Sequence, residues 1–320
     1  MEDSTDRIKQ LVADGARDKV YPGAVWAIGN AAGTTATGAA GVLDPAEPGI
    51  PMRSDTIFDV ASLTKILAVW SAIGAFWENS SLPLDNPLAT FWPEVTGHPL
   101  GQVTARQLLT HTAGVPLRAQ LKNLYGTDPA AIRAGVLHEA LHRPPGEAVE
   151  YTDRAALILG YLAEHLSGQG LDQLAHTRIW RPLGMTHTRF GPLPHELTAR
   201  CAPTELDEDT GRHLKGTAHD FSARLLDGVC GIAGAFSTLD DLTRYLRTCS
   251  TPRPPPQHRH LDRTGSRNRS TSKPEPWSPH VASSGTPPPA PTPPTARTCT
   301  TASPAPACGS PPNGEPGPFY

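Results

Sequence analysis

Proline decides how much of this chain can fold. Of the 35 prolines in 320 residues, 19 lie between Thr251 and Tyr320, a segment with one leucine, one valine, no isoleucine and no methionine. Such a segment cannot bury enough apolar surface to offset the entropy of ordering it. The foldable part is therefore expected to be about residues 1 to 250, with a disordered tail. Within it the balance of charge is bland. A formal charge of −3 and a pI near 6.5 leave no basic footprint for nucleic acid or for an anionic membrane. The opening MEDSTDRIKQLVADGARDKV reads as an amphipathic surface helix, without the basic and apolar regions of a signal peptide, and no run reaches the length of a membrane span. A cytoplasmic location is expected. Five cysteines, Cys201, Cys230, Cys249, Cys299 and Cys308, are odd in number and show no CxxC spacing, so they read as free thiols or packing residues.

Along the chain, YPGAVWAIGNAAGTTATGAAG (21–41) alternates small and β-branched residues about a Gly-rich centre, which predicts a hairpin. An apolar helix is expected over 60–78, ending at the Asn79, Ser80, Ser81 cluster, followed by a proline-punctuated connection over 82–95. VTARQLLTHTAGV opens on a Thr cap and is expected to close at Gly114. DPAAIRAGVLHEALHRPPGE predicts a helix stopped by Pro144, Pro145 and Gly146. Further helices are expected at 153–167, 171–180 and 239–248, with a Gly-rich apolar stretch at 228–238. A strand pair first and a long helical middle predict a sheet domain interrupted by a helical one: 1–60 and 191–250 for the sheet, 61–190 for the helices, 251–320 for the tail. Trp26, Trp70, Trp77, Trp92 and Trp180 are assigned to packing.

In FDVASLTKILAVW, Ser62 and Lys65 lie three apart, so on a helix the hydroxyl and the amine share a face. A serine needs a base to become a nucleophile, and a lysine becomes one when burial lowers its pKa. Val60, Ala61, Ile66, Leu67, Val69 and Trp70 are expected to supply that burial. A helix-start serine followed by a snorkelling lysine is the bland alternative. Downstream, PPGEAVEYTD sets Tyr151 and Asp153 between a forced turn and an apolar helix, where a second base or proton relay can sit. A core tyrosine with a capping aspartate is the alternative there.

FDVASLTK, LPLDNPLATFWPEV, VTARQLLTHTAG, PPGEAVEYTD and IWRPLGMTHTRF, in this order and spacing, resemble the serine beta-lactamase and penicillin-binding-protein superfamily, and within it the class C beta-lactamase-related hydrolases and esterases. The resemblance covers about residues 20 to 248. It implies an α/β fold, an antiparallel sheet flanked by helices with an all-helical insert. It also implies Ser62 as the acylated nucleophile, Lys65 as its base partner and Tyr151 as the group that moves a proton to the leaving atom, with the Ser62 N–H as one oxyanion donor. Asp153 stands where many members carry asparagine, as a substrate-binding residue that can also hold Lys65 charged at rest. His219 and Asp220 in GTAHDFSARLLDG resemble a loop that enters the edge of the site and are expected to bind substrate; a cap and turn before a helix is the equal alternative.

Two other signals compete. HEALH (138–142) matches the zinc-protease pattern, in which two histidines four apart on a helix bind zinc with Glu139 as general base. No extended pattern supplies a third ligand, although Glu164 or His165 are candidates, and Arg143, Pro144 and Pro145 end the helix at once. Histidines at a helix end are the better account. His111 is expected to hold a turn. The reading that results is a serine hydrolase acting on an ester or amide through an acyl-enzyme on Ser62, needing no metal or cofactor. Its rival is a defective or truncated member, or a binding protein that keeps the fold.

The tail adds one more expectation. The resemblance calls for a strand carrying H-x-G or K-T-G that supplies the second oxyanion N–H, and none follows Arg247 as written. Read one base earlier, the codons of ASPAPACGSPPNGEPGPFY (302–320) permit GFTGTSLWISPERGTWAVL, and the shifted codon at Thr300 can only be His or Tyr. That is the missing motif. A single-base slip near residue 248 accounts for it, and the chain as written is expected to be unstable and nearly inactive, since one lost oxyanion donor costs about 10²–10³ in rate. Resequencing tests this: a coding sequence that cannot yield the shifted motif, or a soluble, fully active 320-residue product, overturns it.

Overall fold

The computed structural model describes residues 2–250, apart from 118, 119 and 209. The expectations for the proline-rich tail, the missing strands, Cys299 and Cys308 lie outside the described residues. The amphipathic first segment forms α1 (Glu2–Arg17), which packs against the hairpin β1 (Gly23–Asn30) and β2 (Gly33–Gly41). The hairpin is antiparallel, with an irregularity between Ile28 and Gly29. Trp26 lies across from Gly38, and a side chain at 38 would collide with the indole. Among the described residues β1 pairs only with β2, and no hairpin residue is fully buried.

The segment expected as one helix over 60–78 is helical throughout most of its length but is not a single α-helix. After β3 (Ile57–Asp59) come a 3₁₀ turn at Ala61–Leu63, a π-helical stretch at Lys65–Trp70 and then α2 (Ser71–Glu78). A π turn leaves carbonyls that the next turn does not take up, and in a core they need other donors. Side chains provide them. Ser71 Oγ donates to the Ile66 carbonyl at 2.9 Å, Tyr245 OH to the same oxygen at 3.2 Å, and the Trp180 indole N–H to Leu67 O at 3.0 Å.

Thr104 caps α3 (Ala105–Leu109) in a full capping box with Gln107. This helix ends before Gly114, because His111 takes a left-handed φ of 55° and Thr112 N–H turns back to Gln107 O. α4 (Leu121–Tyr125) precedes α5 (Pro129–His138), which Asp128 caps. α5 ends at His138, earlier than the expected stop at Pro144, since Glu139 is already extended at ψ 150°. α6 (Asp153–Ser167) starts on the Thr152 cap and stops at left-handed Gly168. α7 (Leu171–Ala175) runs into a second π turn, His176–Trp180.

The chain returns to strands with β4 (Arg189–Phe190), then α8 (His195–Thr198), the short pair β5 (Leu206–Asp207) and β6 (Arg212–His213), α9 (Phe221–Leu225), β7 (Ala235–Thr238) and α10 (Leu239–Ser250). β7 lies between β3 and β4, antiparallel to both, and all four of its residues are buried. Three segments far apart in sequence thus form one sheet around the helical run, and the fold is α/β. Trp92 and Trp180 are buried at its core, Trp26 and Trp70 are half-buried, and Trp77 is 42% exposed, so packing accounts for only part of the tryptophan set. No described helix is long and apolar enough to cross a membrane.

Candidate active site

Ser62 sits on the 3₁₀ turn between β3 and the π-helical stretch. In a 3₁₀ turn residues three apart eclipse, and Lys65 Nζ reaches Ser62 Oγ at 2.8 Å. Two further acceptors complete the ammonium, Asp153 Oδ1 at 2.8 Å and the Ile232 carbonyl at 2.8 Å. Tyr151 arrives from the loop before α6 and donates its hydroxyl to Ser62 Oγ at 3.2 Å. Four residues that the sequence singles out, Ser62, Lys65, Tyr151 and Asp153, therefore meet at one point from two elements.

The expected burial falls on the lysine and not on the serine. The Lys65 side chain is 11% exposed, whereas Ser62, Leu63 and Ile66 face solvent, because the helical turn sends them outward. Nor is the Lys65 pKa depressed. Burial is the largest influence on it and pulls it down, but the hydrogen bond and charge of Asp153, together with Tyr151, outweigh burial and hold the ammonium above its ordinary value. At rest Lys65 is a cation matched by Asp153. The cavity over Ser62, about 540 Å³, is lined by Val60, Ala61, Leu63, Ile66, His111 and Tyr151 besides Ser62 and Lys65.

His111 holds a turn, as its sequence context suggests. Its carbonyl accepts Glu150 N–H at 2.8 Å and its Nδ1 accepts Thr152 N–H at 3.4 Å, which grips the chain on both sides of Tyr151. The two rings pack at 4.8 Å. Burial, then the charge of Lys65, keeps the imidazole pKa below its usual value.

His219 and Asp220, expected to bind substrate, each have a protein partner. Asp220 caps α9 by accepting Ala223 N–H at 2.7 Å, and His219 Nδ1 meets Asp59 Oδ2 at 3.0 Å. The cap and turn are therefore the geometry found. HEALH does not lie on one helical face. His138 is the last residue of α5 and bonds Glu94 O with its ring stacked on His98, while Glu139 pairs with Arg154 at 3.1 Å. Among the described residues no group of His, Cys, Asp or Glu is arranged to hold a metal. Burial pushes the Cys201 and Cys230 thiols up to about 11, which leaves them protonated packing residues. Two contributors escape the motif reading: the Ile232 carbonyl, a backbone atom, and Asp59, a carboxylate two residues before Ala61 in the serine turn.

A serine held by a lysine from its own segment and a tyrosine from a second one, between an antiparallel sheet and a helical layer, sits on a fold shared with known proteins. A D-alanine carboxypeptidase AmpC from Burkholderia cenocepacia superimposes with a TM-score of 0.62 at 24% identity, over 77% of this chain and 64% of that one. A class C beta lactamase from Rhodobacter sphaeroides does so with 0.60 at 21% identity, over 75% and 64%. The chain belongs to the Beta-lactamase family, whose model matches residues 8–306. In sequence it is 31% identical over 231 residues to a protein of Escherichia coli (strain K12) described as "Putative D-alanyl-D-alanine carboxypeptidase", over 63% of this chain. The match covers 52% of that protein, so the chain spans about half the length of the curated relatives it matches.

Proposed function

We propose that this chain is a serine hydrolase that cleaves an uncharged ester through an acyl-enzyme on Ser62. The observation that carries the reading is the convergence of Lys65 Nζ and Tyr151 OH on Ser62 Oγ, at 2.8 and 3.2 Å. Ser62 Oγ attacks the ester carbonyl, its proton passes into the Lys65–Tyr151 pair, and Tyr151 returns a proton to the departing alkoxide. Water then attacks the acyl-enzyme by the same relay in reverse. The Ser62 N–H serves as one oxyanion donor. Because Lys65 is charged at rest, the cluster must shed a proton before Ser62 can give one up.

The substrate follows from charge. Of the described residues lining the Ser62 cavity, Lys65 is the sole cation, and Asp153 already neutralises it. A substrate carboxylate would enter an apolar-walled site without a free counter-charge, which is costly. A carboxypeptidase reading draws on the description of the Escherichia coli relative and predicts the reverse preference. Comparing p-nitrophenyl butyrate with a D-alanyl-D-alanine peptide decides between them: hydrolysis of the ester alone supports the proposal, faster hydrolysis of the peptide overturns it.

A pH profile probes the same cluster. Asp153 and Tyr151 together raise the Lys65 pKa, so Asp153→Asn removes the larger raising influence and leaves burial opposed by Tyr151 alone. The lysine then loses its proton at lower pH. The rising limb of the acylation rate against pH is expected to move to lower pH in Asp153→Asn. A limb that stays or moves upward contradicts this assignment of the proton.

A further inference from the structure

The turn that carries Ser62 is strained, and one buried carboxylate holds it. Ala61 sits at φ +48°, a left-handed conformation that a residue with a Cβ adopts only where its surroundings impose it. The ends of the turn are tied to β7: Val60 N–H donates to Ala235 O at 3.0 Å, and Ala235 N–H to Thr64 Oγ1 at 3.1 Å. Its middle is tied to Asp59, whose side chain is 1% exposed. Asp59 Oδ1 accepts Ala61 N–H at 2.8 Å, while Oδ2 accepts His219 N–H at 2.8 Å and meets His219 Nδ1 at 3.0 Å. A carboxylate shielded from water is stabilised by such donors, and here they come from two segments far apart in sequence.

We propose that Asp59 is a positioning residue which, with His219, sets the Ser62 hydroxyl within reach of Lys65 and Tyr151. This rests on the hydrolase reading above. Both oxygens of Asp59 are committed as acceptors, so the arrangement needs a carboxylate. An amide at 59 must turn an NH₂ toward Ala61 N–H or toward the His219 donors, and either choice sets donor against donor. The turn then relaxes and Ser62 Oγ leaves its place, although Asp59 touches neither substrate nor reacting atom. His219 acts through Asp59, which gives this histidine a use other than substrate contact.

The test is the rate of covalent labelling of Ser62 by a fluorophosphonate, measured over probe concentration. Asp59→Asn is expected to lower the maximal rate by about 10²-fold, the scale of a small misplacement at a reacting centre. The half-saturating probe concentration and the final yield, one adduct per folded chain, should stay the same. His219→Leu should give a smaller loss. His219→Asn should restore the rate, because its amide nitrogen occupies the place of imidazole Nδ1 and donates the same bond. A merely structural role would lower the yield and leave the rate of the labelled fraction unchanged, and that result overturns the proposal. So does Asp59→Asn labelling at the wild-type rate. A second measurement does not need turnover: in Asp59→Asn the amide that faces the new NH₂, of Ala61 or of His219, should exchange with solvent at least about tenfold faster while those of α6 do not. Unchanged protection overturns the proposal, whereas a wild-type chain that never labels at Ser62 sinks the hydrolase reading and, with it, any positioning role in catalysis.

Discussion

A fluorophosphonate should attach to Ser62 in the wild-type chain and to no residue in Ser62→Ala, with Lys65→Ala slowing the reaction by about 10²–10⁴-fold. The size follows from what each atom does. Among the described residues Ser62 Oγ is the only hydroxyl that both Lys65 Nζ and Tyr151 OH approach, so its removal leaves the probe no activated hydroxyl to phosphonylate there. Lys65→Ala removes the group that receives the serine proton. Water can reach its partner Asp153, which is 36% exposed, but the Ile232 carbonyl loses its donor, so a modest loss of stability accompanies the slower reaction. Mass spectrometry over hours reads the adduct even where turnover is slow. An adduct elsewhere, or none in a folded sample, removes the assignment of Ser62 and favours a binding protein with this fold.

The largest expected effect on stability belongs to Trp180, which is 1% exposed, packs on Phe190 at 5.5 Å and donates to Leu67 O. Trp180→Ala opens a large cavity and is expected to cost about 3–5 kcal/mol, a major part of the roughly 5–15 kcal/mol that holds a typical domain. For a folded part of this length that lowers Tm by roughly 10 °C. Trp180→Phe keeps most of the volume but leaves Leu67 O without its donor, and about 1–3 kcal/mol is expected. Chemical denaturation of both variants checks the order. A Trp180→Ala loss within about 1 kcal/mol would mean that the π-helical stretch beside the lysine does not depend on this anchor.

Periodicity made most helices legible, and the caps confirm why: Thr104, Asp128 and Thr152 each accept backbone N–H groups where the sequence places a helix start. Helix ends were less legible. His138 stops α5 although no breaker stands there, because a long-range contact, Glu139 with Arg154, draws the chain into extended form. The 3₁₀ and π turns around Ser62 were not legible either, since their carbonyls are satisfied by Tyr245 and Trp180, residues far along the chain. A pattern of letters carries no record of such partners.

By itself the sequence determined which residue types could do chemistry and their local spacing. Ser62 and Lys65 three apart, and Tyr151 and Asp153 beside a turn, are short-range facts that helical spacing and capping make legible. Tertiary structure alone decided the charge of Lys65 at rest, because the contest between burial and the Asp153 carboxylate depends on a distance of 2.8 Å across 88 residues of chain. It also decided that His219 faces Asp59 and that Ile232 lends a carbonyl to Lys65. Electrostatic and hydrogen-bond energies fall off over a few ångströms, and separation along a chain says nothing of separation in space.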